Sequence, residues 1–110
     1  MEAYYKPEDL PKFGTIAKGN PELWKKFREW YGAVFEEGAL TTREKNLIAL
    51  GVAHAIQCPY CIDAYTQEGL KAGCSEEEMT EAVHVAGAIR GGASLVHGVQ
   101  MKNVIDKLSM

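Results

Sequence analysis

An all-α fold, a compact bundle of about five or six helices, is what this chain predicts, and three observations predict it. Apolar residues recur at intervals of three and four, the helical period, and no segment alternates at the interval of two that marks a strand. Gly and Pro punctuate the chain at short, regular intervals. Helix-start chemistry follows the breaks, at Asn20-Pro21-Glu22, Thr41-Thr42-Arg43-Glu44, Cys58-Pro59 and Ser75-Glu76-Glu77-Glu78.

The first stretch, residues 6–19, carries Pro7, Pro11, Gly14 and Gly19 around Leu10, Phe13, Ile16 and Ala17, so at most a short, broken helix is expected there. Asn20 is a natural N-cap, Pro21 fits the first helical position, and Glu22 faces the positive end of the dipole. The helix that follows places Leu23, Trp24, Phe27, Trp30 or Tyr31, Val34 and Phe35 at helical spacing until Gly38, a large aromatic face that reads as core or subunit interface. Thr41 and Glu44 form a capping box, and the helix beyond them is apolar nearly all round, the pattern of a central helix. Cys58 is the expected N-cap of the next helix, with Pro59 at its first position and Ala72-Gly73 at its end. A second capping box at Ser75 starts a helix through Ile89, which Gly91-Gly92 is expected to end or kink, and a last helix takes Leu95 to Leu108.

At 110 residues the chain predicts one domain, spanning 1–110, and the 46% apolar and 25% charged composition is that of an ordinary globular protein. Residues 47–62 form the longest stretch without a charge, too short and too polar for a membrane span. The first residues lack the basic start and apolar core of a secretory signal, which predicts the reducing cytoplasm and no structural disulfides. Net charge is −3 with basic residues scattered among acids, so nucleic acid is a poor partner. The apolar content exceeds what one small core easily hides, and a homo-oligomer is expected.

Cys58-Pro59-Tyr60-Cys61 is the cluster whose chemistry stands out. Three residues along a helix bring two Cα atoms within the span of a disulfide, so the pair can open and close without unfolding. At a helix start, free amides and the dipole favour the thiolate. A zinc half-site is the competing reading, but no second pair exists, and Cys74, His84 and His97 fall on separate predicted segments. Two buried apolar cysteines are another, and a thioredoxin fold would need a strand before the motif. His54 lies four and seven residues before the two cysteines, on their side if the helix direction carries through Pro59, and Tyr65 extends that side; His54 is thus a candidate base. His84 and His97 share faces with apolar residues and read as structural. Glu44 is first a capping acid, Glu81 a partner for His84, and Cys74 incidental.

Leu40-Thr41-Thr42-Arg43-Glu44-Lys45 with Leu47-Ile48-Ala49-Leu50, then Cys58-Pro59-Tyr60-Cys61-Ile62-Asp63-Ala64, then Gly73 and Glu81-Ala82, resembles the alkylhydroperoxidase-D-like proteins of the carboxymuconolactone decarboxylase superfamily. The likeness covers roughly residues 24–98. It implies an all-α fold, assembly into trimers or hexamers, and reduction of a small peroxide by the cysteine pair, with a thiol reductant or redox partner protein and no cofactor. It also implies that Cys61 attacks and Cys58 resolves, whereas helix electrostatics alone favour Cys58 as the attacking thiolate. Redox members place a glutamate twelve residues before the first cysteine and a histidine four after the second. Here those positions hold Asn46 and Tyr65, which leaves His54 as the nearest substitute and Glu44 as a weaker one. The run through Tyr65-Thr66 is similar to a subgroup described as peroxidase-like proteins associated with arsenosugar biosynthesis. Lactone decarboxylases of the superfamily lack the redox pair. A cofactorless decarboxylase-like enzyme, a non-catalytic redox sensor and an oligomeric binding protein are the alternatives.

Overall fold

The computed structural model describes residues 3–109. A 3₁₀ segment, Pro7–Lys18, precedes four α-helices: α1 (Pro21–Phe35), α2 (Thr42–Ala55), α3 (Pro59–Lys71) and α4 (Glu76–Leu108). The described residues contain no strand, as the periodicity predicts.

The caps form where the sequence places them. The Asn20 side chain accepts from the Leu23 amide, and both capping boxes close reciprocally, Thr41 with Glu44 and Ser75 with Glu78. Helix α2 lies between α3 and α4, and the core is Leu50, Cys74 and Met79 with Leu47 and Tyr65 packed against it. Arg43 pairs with Glu78 at the heads of α2 and α4, and Arg90 Nη1 donates to the Ala55 carbonyl at 2.9 Å where α2 ends. The two helices therefore run side by side in one direction. A Cβ on Gly51 would stand 3.3 Å from the Ala82 carbonyl oxygen, so a small residue is needed at this crossing.

Four expectations change. The 3₁₀ segment is one run of 12 residues, not short or broken, because Phe13 packs edge-on against Trp24 at 4.8 Å and docks it on α1. Helix α1 ends at Phe35, before Gly38, where Lys45 Nζ donates to the Val34 and Glu36 carbonyls of its last turn. Gly91-Gly92 does not end α4, which runs for 33 residues; glycine weakens a helix by about 1 kcal/mol but, unlike proline, keeps its backbone donor. The expected last two helices are thus one. The fourth concerns shape: the helices pack closely over α2, α3 and the first half of α4, but the chain by itself extends 60 × 36 × 35 Å with a radius of gyration of 19.0 Å. A compact domain of this length has about 13 Å. Beyond Arg90, residues 91–108 leave α2 behind and are exposed apart from half-buried Gly98. Among the described residues no helix is long and apolar enough to cross a membrane.

Candidate active site

The turn between α2 and α3 builds the site. Ile56 closes α2, and Gln57 adopts φ 58°, a left-handed conformation unusual for a residue with a Cβ. That single residue reverses the chain, and the Cys58 amide bonds back to the Ala53 carbonyl at 3.0 Å. Cys58 then caps α3: its Sγ accepts from the Cys61 amide at 3.2 Å, with Pro59 at the first helical position. Cys58 and Cys61 are joined as a disulfide with Cα atoms 5.2 Å apart, within the range such bonds span.

The sulfurs line a cavity of about 600 Å³ whose other walls are the 3₁₀ segment, Tyr31 of α1 and Tyr65 of α3. The Tyr31 and Tyr65 hydroxyls hydrogen-bond to each other across the helices. Phe35 stacks on the Tyr65 ring at 5.2 Å and 18°, which fixes its plane. Partial burial pushes the Tyr31 hydroxyl above its ordinary pKa. A second cavity of about 650 Å³, nearly all apolar, continues along the groove between α1 and α2 and also reaches Cys61, Tyr31 and Tyr65. Cys61 thus faces both cavities and Cys58 only the first.

The other side of α3 is different. A cavity of about 560 Å³ is lined by Tyr5, His54, Gln57, Asp63, Thr66 and Gln67 among others. The Tyr5 hydroxyl donates to Asp63, and Gln67 Nε2 donates to Asp63 Oδ1 at 2.6 Å. The Tyr5 bond above all, then Gln67, holds the Asp63 carboxyl below its ordinary range, and the same bond pushes the Tyr5 hydroxyl up to about 12.

Of the predicted residues, Cys58, Cys61 and Tyr65 share one cavity, and His54 lines the other. Its offsets place it beside the sulfurs only on a continuous helix, and the left-handed Gln57 breaks that continuity. The Nδ1 of His54 donates to the Leu50 carbonyl at 2.8 Å, which puts its proton on Nδ1 when the ring is neutral and leaves Nε2 as the basic nitrogen. His84 and His97 are exposed on α4 rather than set in a core, and Glu81 makes no ion pair with His84. Glu44 accepts from the Thr41 amide as a capping acid, which lowers its pKa, and Asn46 is buried in α2. Cys74 is not incidental: it is a buried, free core thiol. Among the described residues no group of three or more His, Cys, Asp or Glu gathers to hold a metal. Tyr31 escaped the sequence reading because nothing separates it there from the other rings of α1, and the 3₁₀ wall because Pro and Gly obscure its pattern.

The profile described as the carboxymuconolactone decarboxylase family matches residues 21–101. The chain is 32% identical over 102 residues to "Uncharacterized protein 4 in cox locus" of Paracoccus denitrificans, covering 93% of this chain and 92% of that protein. Its fold is similar to a crystal structure from Methanobacterium thermoautotrophicum, with TM-score 0.75, 35% identity, and coverage of 78% of this chain and 97% of that one. It is likewise similar to a carboxymuconolactone decarboxylase family protein from Legionella pneumophila, with TM-score 0.71, 30% identity and 94% of each chain covered.

Proposed function

Because the chain belongs to the carboxymuconolactone decarboxylase family and carries a Cys58–Cys61 pair at the head of α3, we propose that it is a thiol-dependent peroxidase whose pair cycles between dithiol and disulfide. The observation that carries this reading is the disulfide lining an open apolar cavity beside two hydrogen-bonded tyrosines.

In the reduced enzyme the Cys61 thiolate attacks the terminal oxygen of a hydroperoxide. A sulfur–oxygen bond forms, the O–O bond breaks, and the departing alkoxide takes a proton from the Tyr31–Tyr65 pair. Cys61 becomes a sulfenic acid, and the Cys58 thiolate attacks its sulfur, forming the disulfide and releasing hydroxide that is protonated to water. One hydroperoxide and two thiols thus become one alcohol, one water and one disulfide. Cavity access supports this order, since Cys61 faces both cavities and Cys58 only the first, while the free amides of α3 stabilise the Cys58 thiolate that resolves. The same stabilisation makes Cys58 the better leaving group when an external thiol reductant or redox partner protein attacks Cys61 and restores the dithiol.

The test is a thiol titration before and after one equivalent of peroxide, followed by turnover with a dithiol reductant. Two thiols are lost together and regained in a peroxidase. Loss of the pair without turnover makes the protein a redox sensor, and no loss of thiols overturns the redox reading.

The active unit in this proposal is a homo-oligomer, a trimer or larger. Leu95, Val96, Val99, Val104, Ile105 and Leu108 are exposed on the outer half of α4, and Trp30 and Val34 on α1, apolar side chains that a neighbouring subunit would cover. Sedimentation at micromolar concentration should show the larger species; a stable monomer refutes the assembly.

A further inference from the structure

The 3₁₀ segment lines the disulfide cavity and is held at two places, just before its start and at its middle. Just before it, Tyr5 donates to Asp63 and sets its ring edge-on against Tyr60 at 4.7 Å, while the Tyr60 hydroxyl donates to the Tyr4 carbonyl at 3.2 Å. At the middle, Phe13 packs on Trp24 and, at 6.2 Å, on Phe27. Along the segment Leu10, Phe13 and Ile16 line the cavity that Cys58 and Cys61 also line. None of the segment's residues is buried; Phe13 is 53% and Ile16 65% exposed. Apolar side chains are thus held in place around an unfilled volume of about 600 Å³, a size that accepts a small organic molecule. The segment also lies outside residues 21–101, the part of the chain that matches the family profile.

We infer that Pro7–Lys18 is the specificity wall of the dithiol site, with Leu10, Phe13 and Ile16 binding the organic group of an apolar or aromatic hydroperoxide. The inference rests on the peroxidase reading and adds what selects the substrate. The terminal oxygen of such a hydroperoxide is transferred to Cys61, the O–O bond breaks, and the alkoxide is protonated with its organic group still against the wall. Hydrogen peroxide has no such group and gains nothing from the wall.

The test compares single-turnover oxidation of the reduced full-length protein by cumene hydroperoxide and by hydrogen peroxide, in the wild type and in a Leu10→Ala/Ile16→Ala variant. The cumene-to-hydrogen-peroxide rate ratio should fall about tenfold in the variant, as expected for the loss of methylenes from an apolar pocket. Damage to the site as a whole slows both oxidants alike, and an unchanged ratio overturns the wall. If neither oxidant reacts with the wild type, the peroxidase reading fails, and binding of 2-phenyl-2-propanol to the two proteins, followed by NMR, decides the wall separately. Weaker binding by the variant supports it; equal binding or none overturns it. A Leu10→Trp variant, which fills the cavity without removing apolar surface, should lower the same ratio and guards against a variant that merely fails to fold.

Discussion

Helix α3 has two sides built from the same few residues of sequence, and they carry opposite chemistry. Cys61, Ala64 and Tyr65 face a cavity that is almost wholly apolar, while Asp63, Thr66 and Gln67 face one that holds His54 and Tyr5. Two residues along a helix are about 200° apart around its axis, so Asp63 cannot stand beside Cys61 however close it lies in the chain. Two groups ordinarily trusted with protons that lie near the cysteines in sequence, the Asp63 carboxylate and the His54 imidazole, thus line the cavity on the other side of α3. Asp63 anchors the N-terminal segment through Tyr5, and the phenols share the cavity with the sulfurs.

The change that should break this contrast most severely is Cys61→Ser, expected to lower peroxide-dependent oxidation by about a thousandfold or more, measured by stopped flow. Cys58→Ser should instead complete the first step and stop there, and its intact mass should rise by one oxygen. Sulfenic acid on Cys58 in the Cys61→Ser protein would reverse the two roles. Next in size is Tyr31→Phe, for which a loss of about a hundredfold in the oxidation rate is expected if its pair with Tyr65 supplies the proton. Adding Tyr65→Phe should cost little more, because two groups acting as one unit are not additive. A rate equal to wild type in the double variant would place the donor elsewhere.

The polar side should show itself in stability against pH. The pKa of Asp63 is lowered in the fold, so its contribution is complete above the ordinary carboxyl value and is lost as pH falls through the lowered one. Tyr5 has the opposite sense: its contribution is complete below its ordinary value of 10.0 and is lost as pH rises toward about 12. Tyr5→Phe should therefore flatten the alkaline edge of the melting curve, and Asp63→Asn should reduce the acid edge, leaving the slope from Glu44 and Glu78, whose pKa values are also lowered. Edges identical to wild type in both variants would mean that the Tyr5–Asp63 bond does not tie the segment down. The smallest effect is expected from His54→Ala, which should change alkylation of the reduced thiols at neutral pH by less than about twofold. A tenfold slowing with a raised thiol pKa would join the two sides into one site.

The caps show what local sequence can specify. Asn20, Thr41, Cys58 and Ser75 each lie within three residues of the amide they accept from, and every one of these helix starts was legible. The cysteine pair was legible for the same reason, since a helical interval of three is itself a distance. Which cavity His54 lines depends on the conformation of one residue, Gln57, a left-handed one that glutamine seldom adopts and that no pattern announces. Tyr31 reaches Tyr65 across 34 residues, through the packing of α1 on its neighbours and Lys45 at the end of α1. Contacts of that kind leave no periodic trace. The continuity of α4 through Gly91-Gly92 was hidden because glycine is read as a break, although it only weakens the helix there.

Cys74, packed with Leu50 and Met79 at 5% exposure, has a consequence for what happens under oxidant excess. Three sulfurs could in principle pair in several ways, within a chain or between chains, and each wrong pairing would trap the protein covalently. A thiol sealed in an apolar core is out of reach of oxidant and of other sulfurs, so it neither competes for oxidant nor exchanges with the open pair. The chain, with an odd number of cysteines, is thereby left with one intramolecular disulfide pairing. Each chain stores and returns two electrons per cycle with no scrambling among its sulfurs, and repeated use need not cross-link one copy to the next.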